Sequence, residues 1–491
     1  MRALRAVSAL QEAALLAVVA GSVVVIDSVW NVAPLVRGLA ALVLSLLLAG
    51  RLWLVWKLRQ QLGQRRLGIE SAGRGLILDG DSAYGKQAWS FDLGRPLLTP
   101  GPLVVPVLVF VAWVLAQLVP LPRVAGSAGV TWTRLTISAP DTVRGLAFLG
   151  FALLIHVAAS ATLDSRDARR RFIRGIAAIG LACAVLKLFR FAFRTALNHG
   201  FFGPSPVSDN IFLNRNQFGT YMLMAAPLTL GLVAIASRAY SSWVGASPNL
   251  RRRLLGLSGP EGTSLFFALV PALACVSALI ATTSRGALLA FACSLVFAAL
   301  ASKKRFSVPQ WSGLVALVVI GVSWFGVGRL QSRFQRARED APGRTVVWVD
   351  TLSRMDGRWI TGYGFNTFER AMSRTTAWAL PMGATPWIGP HEIALAGAGG
   401  AGFRTLATGQ DLGWYAEAHN DYVQVLAEAG LVGMLLVVWA GWRLLAAAKN
   451  DPWLLAAVSG VLVHAFVDFG LHSPAVAALF AAIAAMSGRE R

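Results

Sequence analysis

The sequence predicts an all-α, polytopic membrane protein with about twelve transmembrane helices. Of its 491 residues, 56% are apolar and only 14% are charged, which is more apolar than a soluble domain. Apolar runs of about 20 residues recur along the chain, and each is long enough to cross a bilayer as a helix. Most of the cations lie between these runs. The three observations together argue against a soluble enzyme.

The charge pattern predicts an orientation in the membrane. The chain carries 45 Lys and Arg against 24 Asp and Glu, a net charge of +21. A soluble chain this basic would suggest a nucleic-acid partner, but cations between apolar runs are typical of cytoplasmic loops. We therefore expect contacts with membrane lipids, no nucleic acid, and both termini in the cytoplasm. The clusters that set this orientation are at 65–66, 169–171, 251–253 and 303–305.

The apolar runs define the individual spans. They lie at 12–30, 34–56, 103–121, 143–162, 176–195, 217–236, 263–282, 286–301, 311–328, 422–444, 453–470 and 474–487. Between the ninth and tenth spans is a long external loop, which is expected to be large and partly helical. The resulting division is an N-terminal group of spans at 1–162 with a cytoplasmic segment at 57–102, a central group at 163–328, the loop at 329–421 and a C-terminal group at 422–491.

The three cysteines indicate neither a disulfide nor a zinc site. Cys183, Cys275 and Cys293 all lie in apolar runs, and no CxxC spacing is present. We expect them to fill the protein core.

Three cations fall on one face of the fifth span. Lys187, Arg190 and Arg194 are spaced i, i+3 and i+7 and approach the external end. Cations inside a span are costly and usually face a cavity or a partner. The alternative is that they extend to the membrane interface.

Two short external turns have the composition of an anion site. Arg285 follows Ser284 in the turn between the seventh and eighth spans, where a cation opposes the orientation bias. A hydroxyl, backbone N–H groups and an arginine at the start of a helix suit a phosphate; contact with lipid headgroups is the alternative. Asn214, Arg215 and Asn216 precede the sixth span and are expected to line a polar pocket, although one asparagine would also suit a helix cap.

The strongest local signal is His419-Asn420, where the long loop returns to the membrane. Histidine titrates near neutrality and is suited to act as a general base. Asn420 would orient it or bind a substrate hydroxyl. The alternative is that both residues cap a helix.

A second group of histidines lies near the C-terminus. His464, Asp468 and His472 are spaced i, i+4 and i+8, a pattern that could bind a metal. A buried His–Asp pair that stabilises the helix bundle is the favoured interpretation.

These motifs resemble, in order and spacing, those of the O-antigen ligase and O-antigen polymerase superfamily of bacterial inner-membrane glycosyltransferases. The resemblance covers about residues 170–485. The elements that carry it are His419-Asn420 followed by Gly430 and Gly433, Ser284-Arg285-Gly286, Arg344 to Trp348 with Gly362 to Phe368, and His464 to Pro474.

The resemblance implies transfer of a glycan from an undecaprenyl-pyrophosphate-linked donor to an acceptor hydroxyl at the periplasmic face, with inversion and without a metal or other cofactor. His419 and Arg285 would be catalytic. The donor pyrophosphate and glycan would be bound by the remaining site residues: Lys187, Arg190, Arg194, Asn214, Arg215, Asn216, Arg344 and Asn420.

The acceptor is left open by the sequence. The His-Asn pattern favours a ligase, whose acceptor is lipid A–core. The alternatives are an O-antigen or exopolysaccharide polymerase, whose acceptor is a second lipid-linked unit, and a protein O-oligosaccharyltransferase. A transporter or flippase is the alternative from another class, but the polar residues concentrate at the external level rather than at the midplane.

Overall fold

The structure is a computed structural model. It describes residues 2–25, 33–66, 77–78, 91–92, 101–124, 130–192, 214–245, 250–301, 347–372, 403–405, 411–413 and 417–488.

The described residues are mostly helical. The helices are α1 (Arg2–Val25), α2 (Ala33–Arg66), α3 (Val104–Leu118), α4 (Ala139–Thr162), α5 (Arg166–Ala192), α6 (Arg215–Val244), α7 (Leu250–Leu257), α8 (Pro260–Ala281), α9 (Arg285–Ala301), α10 (Phe368–Met372), α11 (Asp421–Ala448), α12 (Pro452–His464) and α13 (Pro474–Met486). The strands form three antiparallel pairs: β1 (Ile77–Leu78) with β2 (Phe91–Asp92), β3 (Leu121–Val124) with β4 (Val130–Thr133), and β5 (Phe403–Thr405) with β6 (Asp411–Gly413).

The described helices are those of a multi-pass membrane protein. Six of them, α2, α4, α5, α6, α8 and α11, are long and apolar enough to cross a bilayer. The apolar parts of α1, α3, α9, α12 and α13 are shorter, at 10–17 residues. Eleven of the predicted spans overlap described helices, whereas residues 26–30 of the first span, 193–195 of the fifth and the whole of 311–328 lie outside the described residues. The count of twelve therefore stays a prediction.

The end of the eleventh span differs from its prediction. The apolar run predicts a helix through residue 470, but α12 ends at His464 and a 3₁₀ turn follows at Gly470–His472. Gly470 lies against α6, where a Cβ atom would be only 2.6 Å from Thr220 Oγ1. Glycine at position 470 leaves room for this close approach of the turn to α6. We call residues 464–472 the C-terminal turn segment.

Helix α6 is the centre of the bundle. Of its apolar window, 83% is buried, against 17% for α2. It packs against α8, α12 and α5, and α9 packs against α12. Cys183 and Cys275 lie in this core as expected, whereas Cys293 is exposed on α9. The bundle thus has a central helix whose first residue is Arg215.

A segment of the long loop is inserted into a break in α11. Gly430 has φ +67° and ψ −168°, which interrupts the helix. Tyr363 N–H donates to Ala427 O at 2.8 Å, and Leu431 N–H donates to Trp359 O at 2.7 Å. The loop therefore satisfies backbone groups that the break frees from the helix. We call residues 347–372 the docked segment.

The buried carboxylate of Glu428 holds the docked segment by two hydrogen bonds. It accepts hydrogen bonds from Asn366 N at 2.7 Å and from Phe368 N at 3.1 Å. Trp348 Nε1 donates to Ala418 O at 2.9 Å, so the same segment also contacts the residue before His419. The break in α11 and the His419 turn are thereby joined by one piece of chain.

Candidate functional site

Three helix N-termini meet around the C-terminal turn segment. They are those of α6, α9 and α11, which begin at Arg215, Arg285 and Asp421. The N-terminus of a helix carries a partial positive charge and unpaired N–H groups, and it favours anions. The fold thus brings together the predicted site residues Arg215, Arg285 and His419, which lie in three distant parts of the sequence.

The N-terminus of α6 is joined to the C-terminal turn segment by side chains. Thr220 Oγ1 lies 2.9 Å from His464 Nδ1, and Asn216 Nδ2 donates to Asp468 Oδ1 at 3.4 Å. Asn214 caps the helix by accepting from Asn216 N at 2.8 Å. Arg215 is half-buried at the same level.

The turn before α9 packs against both of these elements. A Cβ atom on Gly286 would lie 3.1 Å from His464 Nε2, and one on Gly219 would lie 2.9 Å from Ala287 Cβ. Glycine at these two positions leaves room for the neighbouring side chains to lie against the backbone. Ser284 is buried, and its Oγ accepts from Ala287 N at 3.4 Å. Arg285 is half-buried at the first position of α9.

His419 lies on the turn that precedes α11. Its backbone has φ +53°, an uncommon conformation for a residue with a side chain. Its ring packs edge-on against Phe469 with centroids 4.9 Å apart. Nδ1 is buried and lies 4.0 Å from Asp468 Oδ1, while the side chain as a whole is 32% exposed. The imidazole is therefore oriented from one side and open on the other.

Asn420 and Asp421 connect the His419 turn to the helix. Asn420 Oδ1 accepts from Tyr422 N at 3.0 Å and from Val423 N at 3.1 Å, so this residue caps α11. Asp421 N–H donates to Ala465 O at 2.8 Å. The capping role, which the sequence offered as the alternative, accounts for the Asn420 side-chain oxygen.

His472 forms two ion pairs with the residues that flank this turn. Its Nδ1 lies 3.2 Å from Glu417 Oε2, and its Nε2 lies 3.4 Å from Asp421 Oδ1. Burial disfavours the imidazolium, but the carboxylates of Glu417, Asp421 and Glu428 outweigh it and raise the pKa of His472 to about 10. Burial likewise opposes the charge of Glu417, yet His472 holds the pKa of that carboxyl below its usual value. Both groups are thus charged at neutral pH.

The C-terminal histidines are not arranged along one helix as their spacing suggested. His464 contacts Thr220, Asp468 faces His419, and His472 pairs with Glu417 and Asp421. The His–Asp contacts formed by Asp468 and His472 therefore reach across to the turn before α11. Within the described residues, no group of three acidic, histidine or cysteine side chains has the arrangement of a metal site.

The remaining predicted cations are only partly placed. Lys187 is buried near the C-terminal end of α5, which packs against α8 and α6. The backbone of Arg190 belongs to the same helix. The Arg190 side chain and the whole of Arg194 and Arg344 lie outside the described residues.

Sequence reasoning missed Glu417, Phe469 and the pairing of His472. Glu417, His419 and Asp421 alternate directly before a helix, which is a signal that two carboxylates flank the histidine. This signal does not identify the partner of the two carboxylates, because their ion pairs form with His472, more than fifty positions away.

The comparisons with known proteins bear on this region. No curated protein matches the chain in a sequence search. Residues 270–438 match the family model Wzy_C, described as O-antigen ligase. The matched range includes the Arg285 turn, the docked segment, His419-Asn420 and the two glycines of α11. The resemblance found in the sequence is confirmed for this range: residues 270–438 carry the O-antigen ligase domain.

Proposed function

We propose that the protein transfers a glycan from undecaprenyl pyrophosphate to an acceptor hydroxyl at the periplasmic face of a bacterial inner membrane, as an O-antigen ligase. The observation that carries this proposal is the convergence of the N-termini of α6, α9 and α11, with Arg215, Arg285 and His419 at their starts. The site combines anion-binding groups with a base, which is what displacement of a pyrophosphate requires.

The pyrophosphate would bind between the two arginine-bearing N-termini. As the bond to the sugar breaks, negative charge grows on the leaving oxygen. Positioned guanidinium and N–H groups stabilise such charge without having to reorient. Arg285 and Arg215 are assigned this role, and Lys187, Arg190, Arg194 and Arg344 are assigned to the rest of the donor.

His419 is assigned as the general base. Because Nδ1 faces Asp468, Nε2 is the nitrogen that can meet the substrate. The 4.0 Å separation of Nδ1 and Asp468 Oδ1 is longer than a hydrogen bond, as is common for catalytic pairs before substrate binds. A proton on Nδ1, directed to Asp468, leaves the lone pair of Nε2 free to accept one.

The reaction is a single displacement. The acceptor hydroxyl gives its proton to His419 Nε2 while its oxygen forms a bond to the anomeric carbon. The bond from that carbon to the pyrophosphate oxygen breaks, and undecaprenyl pyrophosphate leaves with the electron pair. Attack from the side opposite the leaving group inverts the anomeric configuration. We assign the polar contacts with the sugars to the external loop and Asn216.

The assignment is tested by transfer assays in membranes supplied with the lipid-linked donor. His419→Ala should lower the rate by about 100- to 10,000-fold, the usual contribution of a general base. Arg285→Ala should lower it by about 100- to 1,000-fold. Arg443→Ala is the matched control, since Arg443 is an exposed arginine near the opposite end of α11. Normal transfer by both site variants would refute the assignment.

The acceptor is tested with purified protein and one donor. Lipid A–core and a second lipid-linked unit are offered in separate reactions. A product on lipid A–core alone is expected of a ligase. A product only on the second lipid-linked unit would show a polymerase, and donor consumption without either product would refute both acceptors.

A further inference from the structure

A single charged side chain holds the His419 turn from both sides. His472 pairs through Nδ1 with Glu417 and through Nε2 with Asp421. These are the residues two positions before and two positions after His419. Both nitrogens of one imidazolium are thus used to bring the two ends of a five-residue turn together.

The turn needs such restraint. A φ of +53° at His419 places its Cβ atom in an unfavourable position relative to the backbone. Conformations of this kind are strained and persist only where their surroundings enforce them. The cap at Asn420 fixes the backbone after His419, and Gln424 Oε1 accepts from Ala418 N at 3.0 Å. Glu417, at the other end of the turn, accepts a hydrogen bond from Gln424 Nε2 at 2.5 Å, and His472 is its ionic partner.

The same residues connect the turn to the ring of His419. Phe469 contacts the imidazole of His419 at 4.9 Å between centroids and that of His472 at 6.5 Å. Asp468, the residue before it, faces Nδ1 of His419. A displacement of His472 would therefore move both the backbone of the turn and the side chains that orient the imidazole.

We propose that His472 is a positioning residue of the transfer reaction, which holds His419 in its working orientation by bridging Glu417 and Asp421. The proposal rests on the proposed role of His419 as general base. His472 itself does not touch the reacting atoms; it acts through the turn.

The test compares variants of the full-length protein in steady-state transfer assays. His472→Gln keeps the size and polarity of the side chain but removes the charge. It should lower kcat by about 10- to 100-fold, the cost of a small misplacement of a catalytic group, with KM changed by less than about twofold. His472→Arg should recover part of kcat, because a guanidinium can donate to two carboxylates. Glu417→Gln removes one arm of the bridge and should give an intermediate loss.

The matched control is His156→Gln. His156 is also a buried histidine, with Nδ1 3.0 Å from Ala481 O on the helix pair α4 and α13. It should leave kcat of the folded protein unchanged. A purely structural role of His472 would lower the yield of folded protein in both histidine variants and leave kcat per folded molecule intact. That result overturns the proposal.

Two outcomes separate this proposal from the proposed function. If His419→Ala abolishes transfer while His472→Gln keeps the wild-type kcat, the positioning role fails and the base stands. If His419→Ala itself transfers normally, the base assignment fails and the positioning role falls with it. Should His472→Gln not fold, Glu417→Gln decides, and a wild-type kcat in that variant overturns the proposal.

Discussion

At the scale of single residues, the polar side chains of the site divide into caps and reactive groups. Asn214 and Asn420 both use their side-chain oxygen to accept from the first N–H groups of a helix. Their neighbours, Arg215 and His419, are the residues to which the proposed function assigns chemistry. In the sequence, an asparagine beside a histidine or an arginine suggests a second substrate-binding group. In the structure, each asparagine instead caps the helix at whose N-terminus its neighbour lies.

Replacing the cap of α11 should separate stability from chemistry. Asn420→Ala removes the acceptor of two backbone N–H groups and should destabilise the protein by about 1 kcal/mol. Asn420→Asp preserves the cap and should unfold near the wild-type temperature. Thermal unfolding in detergent measures the difference, and equal unfolding temperatures of the Ala and Asp variants would contradict the capping role.

The ion pairs of His472 predict how stability depends on pH. The pKa of His472 is raised from 6.5 to about 10, so the folded state holds this proton more tightly than the unfolded chain does. The stabilisation is complete below about pH 6.5 and is lost as the pH rises through about 10. The groups that face His472 are Glu417, Asp421 and Glu428. Because the pKa of Glu417 is lowered, this carboxyl stays charged over the whole range in which His472 loses its proton.

The measurement is the difference in unfolding temperature between the wild type and His472→Gln across pH 6 to 10. The difference should be largest at pH 6, decrease steadily and vanish near pH 10. A difference that stays constant over this range would show that His472 does not carry a proton in the folded protein.

At the scale of elements, the break in α11 explains why the motif glycine Gly430 follows His419 at its distance. A Cβ atom on Gly430 would lie 2.1 Å from Ile360 O, and one on Gly362 would lie 2.4 Å from Glu428 O. Glycine is thus needed on both sides of the contact. The contact anchors the docked segment, which in turn holds Ala418 through Trp348. Gly430 and Gly362 thus hold the docked segment that contacts the residue before His419.

Two glycines of the same helix should respond in opposite ways to alanine. Gly430→Ala combines positive φ with a steric overlap and should destabilise the protein by at least about 2 kcal/mol. Gly441→Ala meets only Leu462 Cδ1 at 3.8 Å and should be neutral or stabilising by up to about 1 kcal/mol, as alanine is a better helix former.

The stability of the two variants is compared by thermal unfolding, and the docking of residues 347–372 is compared by limited proteolysis. Faster cleavage in Gly430→Ala alone is expected. Similar behaviour of the two variants would show that the break at Gly430 does not depend on glycine.

At the scale of the whole molecule, the positions of the helices were predictable and the contacts between their ends were not. Length and hydrophobicity are properties of a continuous stretch, and they located α4, α6, α8 and α11. The run 422–444 reads as one unbroken span, because the contact that opens it at Gly430 comes from a residue 70 positions earlier. Likewise, the spacing of His464, Asp468 and His472 does not show their separate partners, because α12 ends at His464 and the chain then turns.

The folded helices place the basic clusters and the candidate site at opposite ends of the bundle. Helix α6 begins at the site and α8 returns to it, so α7, with the arginines of 251–253, lies at the far end. Helices α9 and α11 also begin at the site, which puts Ala301 at the end of α9 and Lys449 after α11 far from it. By the positive-inside rule the far end is cytoplasmic. The site is then expected at the external surface.

Cysteine labelling in intact cells tests this orientation. Single cysteines are introduced in a variant whose native cysteines are removed, at Val349 in the docked segment and at Ser258 after α7; both are exposed. A membrane-impermeant maleimide should label Val349→Cys in intact cells and Ser258→Cys only after permeabilisation. The reverse pattern would place the site in the cytoplasm, where the periplasmic acceptor could not reach it, and would refute the proposed topology together with the reaction assigned to it.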